Sequence, residues 1–242
     1  MTQEIALIGF YLFIFIYSVI IHEVAHGVMA LWLGDLTAKY ADRLNLNPMK
    51  HVDPFGSILL PGLLFLTQSP FLIGWAKPVP YNPYNLRDQK WGPTYVALAG
   101  PASNFLMALI AAVIASLLPM SLLMKRDILG RFYGITGGQG DFLDRFELFA
   151  TAISGSLPNI CFGLLLMIIF WNVVLGCFNL LPIPPLDGSK ILYSLFGIKE
   201  QTMLFLEQYG LFIMIFVVLF FQQPISIFIG TVLQAFLRLA LS

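Results

Sequence analysis

The sequence predicts an all-α polytopic membrane protein: about five transmembrane helices, with a membrane-embedded re-entrant or β-hairpin region between the first two. Three observations carry that prediction. Of the 242 residues, 58% are hydrophobic and 11% charged, against soluble averages of roughly 45–50% and about 25%. Five apolar stretches, 5–33, 93–120, 158–182, 202–222 and 225–241, reach the roughly 17 residues or more needed to cross about 30 Å of hydrocarbon. A sixth, 57–75, is apolar but broken by Pro61, Gly62, Gln68, Pro70 and Gly74, so it reads as a poor span or a re-entrant element.

Each element has a local reason. The first stretch follows Met1-Thr2-Gln3-Glu4, which lacks a basic n-region, and it runs past any cleavage site, so it is expected to stay as a span. The last stretch carries Gln234 and Arg238, leaving open an interfacial helix in place of a span. Residues 141–153 are amphipathic at helical spacing and are expected on the outer surface. Segments 34–92 and 183–201 hold eight basic residues, against Lys125, Arg126, Arg131 and Arg145 in the intervening loop. The positive-inside rule then places the N-terminus outside and those two segments in the cytoplasm.

One integral membrane domain over 1–242 is expected, with a core near 5–190 and C-terminal helices at 202–241. The net charge of zero offers no basic footprint for nucleic acid. Cys161 and Cys177 lie on one predicted helix about 24 Å apart, beyond disulfide reach.

The chemistry-bearing residues are few. His22-Glu23-Val24-Ala25-His26 falls within the first stretch. Positions i and i+4 share a helix face, so both imidazoles can reach one metal ion. Glu23 is placed to take a proton from a metal-activated water. Three ionisable groups within five residues of a membrane span point to function. Zinc suits imidazole with one open position and commonly takes a third protein ligand.

A candidate third ligand follows the third firm span. In Asn179-Leu180-Leu181-Pro182-Ile183-Pro184-Pro185-Leu186-Asp187-Gly188, three prolines within four residues halt helical hydrogen bonding. Asp187 sits on that broken end, where it is a ligand or part of a helix-terminating turn. His51 and Asp53 are read as organising a proline-rich turn, with ligation the lesser reading. Asn172 and Asn179, two helical turns apart, could equally bind substrate backbone or join helices.

These motifs, with Asn47 to Gly56, Gly74 to Pro80 and Ala99 to Asn104, together resemble the site-2 proteases, which are intramembrane zinc metalloproteases. The resemblance covers about 5–190. It implies one Zn2+ per chain held by His22, His26 and Asp187, with Glu23 as general base and Asn104 near the active site; Asn179 is a further positioning candidate. It also implies a minimal form, since no loop is long enough for a PDZ domain.

The expected activity is hydrolysis of peptide bonds within or beside transmembrane segments of membrane protein substrates, in a prokaryotic cytoplasmic membrane. An extended segment near 36–60 is expected to hold unwound substrate by edge pairing. A metal transporter using the same His/His/Asp site and a proteolytically silent membrane chaperone are the competing classes.

Overall fold

The computed structural model describes residues 2–59, 66, 76–137 and 142–242. Among them the chain is helical and contains no strand. In chain order the helices are α1 (Thr2–Trp32), α2 (Thr37–Tyr40), α3 (Pro48–His51), α4 (Gly92–Ser116), α5 (Leu122–Gly137), α6 (Phe142–Ile153), α7 (Leu157–Asn179), α8 (Asp187–Phe196), α9 (Glu200–Gln208), α10 (Gly210–Phe220) and α11 (Gln222–Leu241). A π-helical turn (Pro54–Leu59) and a 3-10 turn (Pro83–Asn85) complete the set.

Within these, Ile5–Trp32, α4, α7 and α11 are long and apolar enough to cross a membrane. The span expected at 202–222 is built of two helices, α9 and α10, bent by 64° at Tyr209, a broken span or a re-entrant loop that brings the candidate spans to as many as five. Gly210 is seated where a Cβ would lie 2.9 Å from the backbone nitrogen of Pro185, so packing against the proline turn accompanies the break. The re-entrant element expected at 57–75 lies almost wholly outside the described residues.

Segment 36–60 corrects another expectation. Its described residues, 36–59, form short helical turns, because Asn47 caps α3 through a 3.1 Å hydrogen bond from the Met49 amide with Pro48 at the first helical position, and Asp53 accepts the Phe55 and Gly56 amides. Such Asx and proline signals start turns.

The chain divides into two compact units, and α1, α4 and α7 each contribute to both. The first comprises 1–18, 104–177 and 221–242. Its core is aromatic and dense, with Phe132, Phe146, Phe149, Phe162, Leu166 and Leu237 almost wholly buried. Phe146, Phe149, Ala150 and Ile153 of α6 recur at helical spacing and are all buried. The Phe149 ring lies 5.5 Å from that of Phe132 on α5. The amphipathic stretch expected on the outer surface buries its apolar stripe against α5, its other face remaining exposed.

Two polar devices tie this unit together. Lys125 is 3% exposed and donates to the Ser116 carbonyl at 2.9 Å and the Ala240 carbonyl at 3.4 Å. One cation thus satisfies the carboxyl-terminal ends of α4 and α11. The Asn172 amide donates to Ser18 Oγ at 2.9 Å and the Asn104 amide to Asn172 Oδ1 at 2.8 Å, linking α1, α4 and α7 by hydrogen bonds. Cys161 and Cys177 are free.

The second unit, 19–103 and 178–220, has a small apolar core of Ala30, Leu86 and Val96. Polar ties do most of the organising. Asp35 is fully buried and accepts from Thr37 Oγ1 at 2.6 Å and from the Asn82 amide and Asn85 side chain at 2.8 Å. This fastens the 82–85 loop to the end of α1. Burial would raise the Asp35 pKa, but these hydrogen bonds outweigh it and hold the carboxyl below its ordinary value. Arg43 donates to the Lys77 carbonyl at 2.6 Å, and the Lys77 amide donates to the His51 carbonyl at 2.9 Å. Segment 77–79 is thereby held in place.

Candidate metal centre

His22 and His26 project from one face of α1, one turn apart. Their Nε2 atoms lie 3.0 Å from each other. Asp187 Oδ2 lies 3.1 Å from His22 Nε2 and 3.2 Å from His26 Nε2. His22 and Asp187 are buried and His26 is half-buried. Tetrahedral donors at zinc-bond lengths of about 2.0–2.1 Å would stand about 3.3 Å apart. The three atoms already hold nearly that spacing, so the donor set fits a zinc ion.

The surroundings fix how each ligand points. His26 Nδ1 lies 2.7 Å from the Val96 carbonyl, an acceptor, so Nδ1 carries the proton and Nε2 turns its lone pair to the cluster. Pro101 within α4 has no amide to donate and its ring loosens the preceding turn, which contains Val96 and Ala97. Gly100 supplies the room: a Cβ there would stand 2.5 Å from His26 Nε2 and 2.6 Å from His22 Cε1. Any side chain at 100 would push into both imidazoles.

Asp187 is the first residue of α8, where the helix dipole favours a carboxylate. Gly188 is packed so closely on the Leu180 and Leu181 carbonyls that a Cβ would collide with backbone. That contact folds the proline turn back and presents Asp187. Burial alone would raise the Asp187 pKa, but the hydrogen bonds with His22 and His26 and the charge of Lys190 prevail and hold the carboxyl well below its ordinary range.

Glu23 Oε2 accepts the Val79 amide at 2.9 Å. His22, Glu23, His26, Val79, Asn179 and Asp187 share a cavity of about 160 Å³ with Pro78, Tyr81, Val96, Pro185 and Lys190. The cavity thus places a carboxylate beside a metal-binding triad, the parts needed for water activation and proton transfer.

Of the residues singled out from sequence, His22, Glu23, His26, Asp187 and Asn179 meet in this cavity. Asn104 is not in its lining; it is fully buried in the hydrogen-bond network with Asn172 and Ser18. His51 and Asp53 are not in the metal cluster; His51 Nε2 lies 2.8 Å from the Asn45 carbonyl. Sequence reading gave no role to Val79, Gly100 or Lys190, although Val79 and Gly100 lie in stretches that carry the resemblance.

A His/His/Asp cluster with an adjacent glutamate, set on the helices of an integral membrane protein, defines a membrane-bound metallopeptidase. The chain belongs to peptidase family M50, the site-2 protease family, whose pattern matches residues 10–221. It is similar to the "Putative zinc metalloprotease YwhC" of Bacillus subtilis (strain 168), with 35% identity over 207 residues, which are 85% of this chain and 77% of the relative. No solved structure matches the chain. The resemblance drawn from motifs alone therefore holds, as does zinc metalloprotease as the enzyme class.

Proposed function

We propose that this metalloprotease cleaves peptide bonds within or next to transmembrane segments of membrane protein substrates. One observation carries the proposal. His26 and His22 lie six and ten residues inside the candidate span that ends at Trp32, or about 9 and 15 Å along the helix axis. That position along a candidate span supports a site within the membrane, where an apolar segment is the accessible peptide.

His22, His26 and Asp187 are the residues that would hold zinc. When bound, zinc supplies a Lewis acid that polarises a carbonyl and acidifies water. Glu23 takes the proton from the attacking water and delivers it to the leaving amine, restoring its own carboxylate. The Val79 amide holds Glu23 Oε2 and so orients this carboxylate in the cavity. Asn179, in the cavity lining, positions substrate backbone, whereas the buried hydrogen bond from Asn104 to Asn172 supports a structural role for Asn104.

Eight basic residues on segments 34–92 and 183–201, against four between α4 and α7, support an external N-terminus and a site opening toward the cytoplasm. The relative's bacterial source supports a cytoplasmic membrane.

The test incubates zinc-loaded protein in detergent with a single-span protein and maps fragments by mass spectrometry. Cuts inside or within a few residues of the apolar segment, abolished by Glu23→Gln, are expected. Cuts confined to soluble regions, or equal in Glu23→Gln, would contradict the proposal.

A further inference from the structure

Lys190 pairs with Asp187 only loosely, and that pairing does not use its hydrogen-bonding capacity. It stands in the first turn of α8, where the helix dipole opposes a cation. Its Nζ is 3.7 Å from Asp187 Oδ1, too long for a good hydrogen bond, and 5.9 Å from the centre of the Tyr81 ring. Among the described residues no hydrogen bond engages Nζ, whose contacts there are the loose Asp187 pair and the Tyr81 ring. Yet the side chain is only 28% exposed and lines the cavity that holds His22, Glu23, His26 and Asp187.

A cation this close to a metal triad repels the ion the triad is built to hold. Paired only loosely with Asp187, the same charge can also serve a second anion formed in the cavity it lines. Peptide hydrolysis develops one, as the scissile carbonyl oxygen becomes an oxyanion on attack by water. We propose that Lys190 is a catalytic residue of this site, donating to that oxyanion through Nζ. The proposal rests on the peptidase reading above.

In the balanced step, water oxygen forms a bond to the carbonyl carbon and its proton passes to Glu23. The carbonyl π pair moves onto oxygen, beside Lys190, and returns as the C–N bond breaks and Glu23 protonates the amine. Lys190 keeps its protons throughout and acts by charge and hydrogen bonding.

The test uses Lys190→Met, which keeps length and removes charge, and Lys190→Arg, which keeps charge. Two quantities are measured on purified protein: zinc affinity by chelator competition, and affinity per bound zinc for a Leu–Leu phosphonate, a tetrahedral anion. Phosphonate binding about 100-fold weaker in Lys190→Met, recovered to within tenfold in Lys190→Arg, is expected, with zinc affinity not weakened in either. Unchanged phosphonate affinity in Lys190→Met would overturn the proposal. So would a parallel loss of zinc, which would make Lys190 a support for Asp187. Failure of zinc-loaded wild type to bind the phosphonate would remove the peptidase reading and the proposal with it.

Discussion

The unit built from 1–18, 104–177 and 221–242 buries Phe132, Phe146, Phe149 and Phe162 almost completely, whereas the unit built from 19–103 and 178–220 has a small apolar core of Ala30, Leu86 and Val96. The first is held by dense packing, in which each missing methylene is felt. The second is held by directed polar contacts: Asp35 to Thr37, Asn82 and Asn85, Arg43 to Lys77, Glu23 to Val79. The difference explains where the chemistry resides. A metal cluster and a carboxylate base need polar atoms at fixed points, which hydrogen bonds supply and an aromatic core does not. Substitutions should therefore act on stability in the first unit and on metal binding or turnover in the second.

Glu23→Gln should give the largest effect, lowering cleavage of a single-span substrate by about 10²–10⁴-fold. Zinc content should stay at the wild-type value, because the carboxylate is not among the three ligand atoms. Loss of zinc along with activity would place Glu23 in the metal cluster and blur the division between ligand and base.

Phe149→Ala tests the packed unit. Removing a fully buried ring should cost about 3–5 kcal/mol, read as a lowered unfolding midpoint in detergent. Zinc bound per folded chain should not change. A variant that kept its midpoint and lost zinc would overturn the separation of roles.

Gly100→Ala is the converse. Its Cβ would press on both imidazoles, so zinc affinity should fall about 10–100-fold, the range seen when groups supporting metal ligands are disturbed. The unfolding midpoint of metal-free protein should move little. Equal affinity for zinc would show that α4 can retreat and that its close approach is not needed.

Asn172→Ala should have the smallest effect, about 0.6–2 kcal/mol, the worth of interhelical hydrogen bonds between membrane helices. A melting curve of the detergent-solubilised protein checks it. A large loss of turnover at unchanged stability would instead put the Asn104–Asn172 network in the catalytic cavity.

Much of this organisation is legible in the sequence, and the exceptions have physical reasons. α1, α4 and α7 follow from runs of apolar residues, since lipid requires a helix with its backbone satisfied. His22, Glu23 and His26 are read from spacing on one helix. Asp187 is read from a proline turn that cannot continue a span. The packing of α6 on α5 was not legible, because an amphipathic stripe does not say whether it meets lipid, water or α5. The bend at Tyr209 was equally hidden, since the apolar run continues through it and packing of Gly210 on the proline turn is a tertiary contact. The partners of Asn104 were not legible either: Ser18 and Asn172 are distant in sequence, and only the folded chain reveals the hydrogen bonds that join them. Lys190 was passed over because one lysine after Asp187-Gly188-Ser189 reads as a solvated helix face.

The most direct measurement is zinc content of the detergent-purified protein, wild type beside Asp187→Ala. The account predicts about one zinc per wild-type chain and loss or sharp weakening in the variant, because a three-ligand site would be reduced to two histidines. Full zinc retention in Asp187→Ala would contradict it.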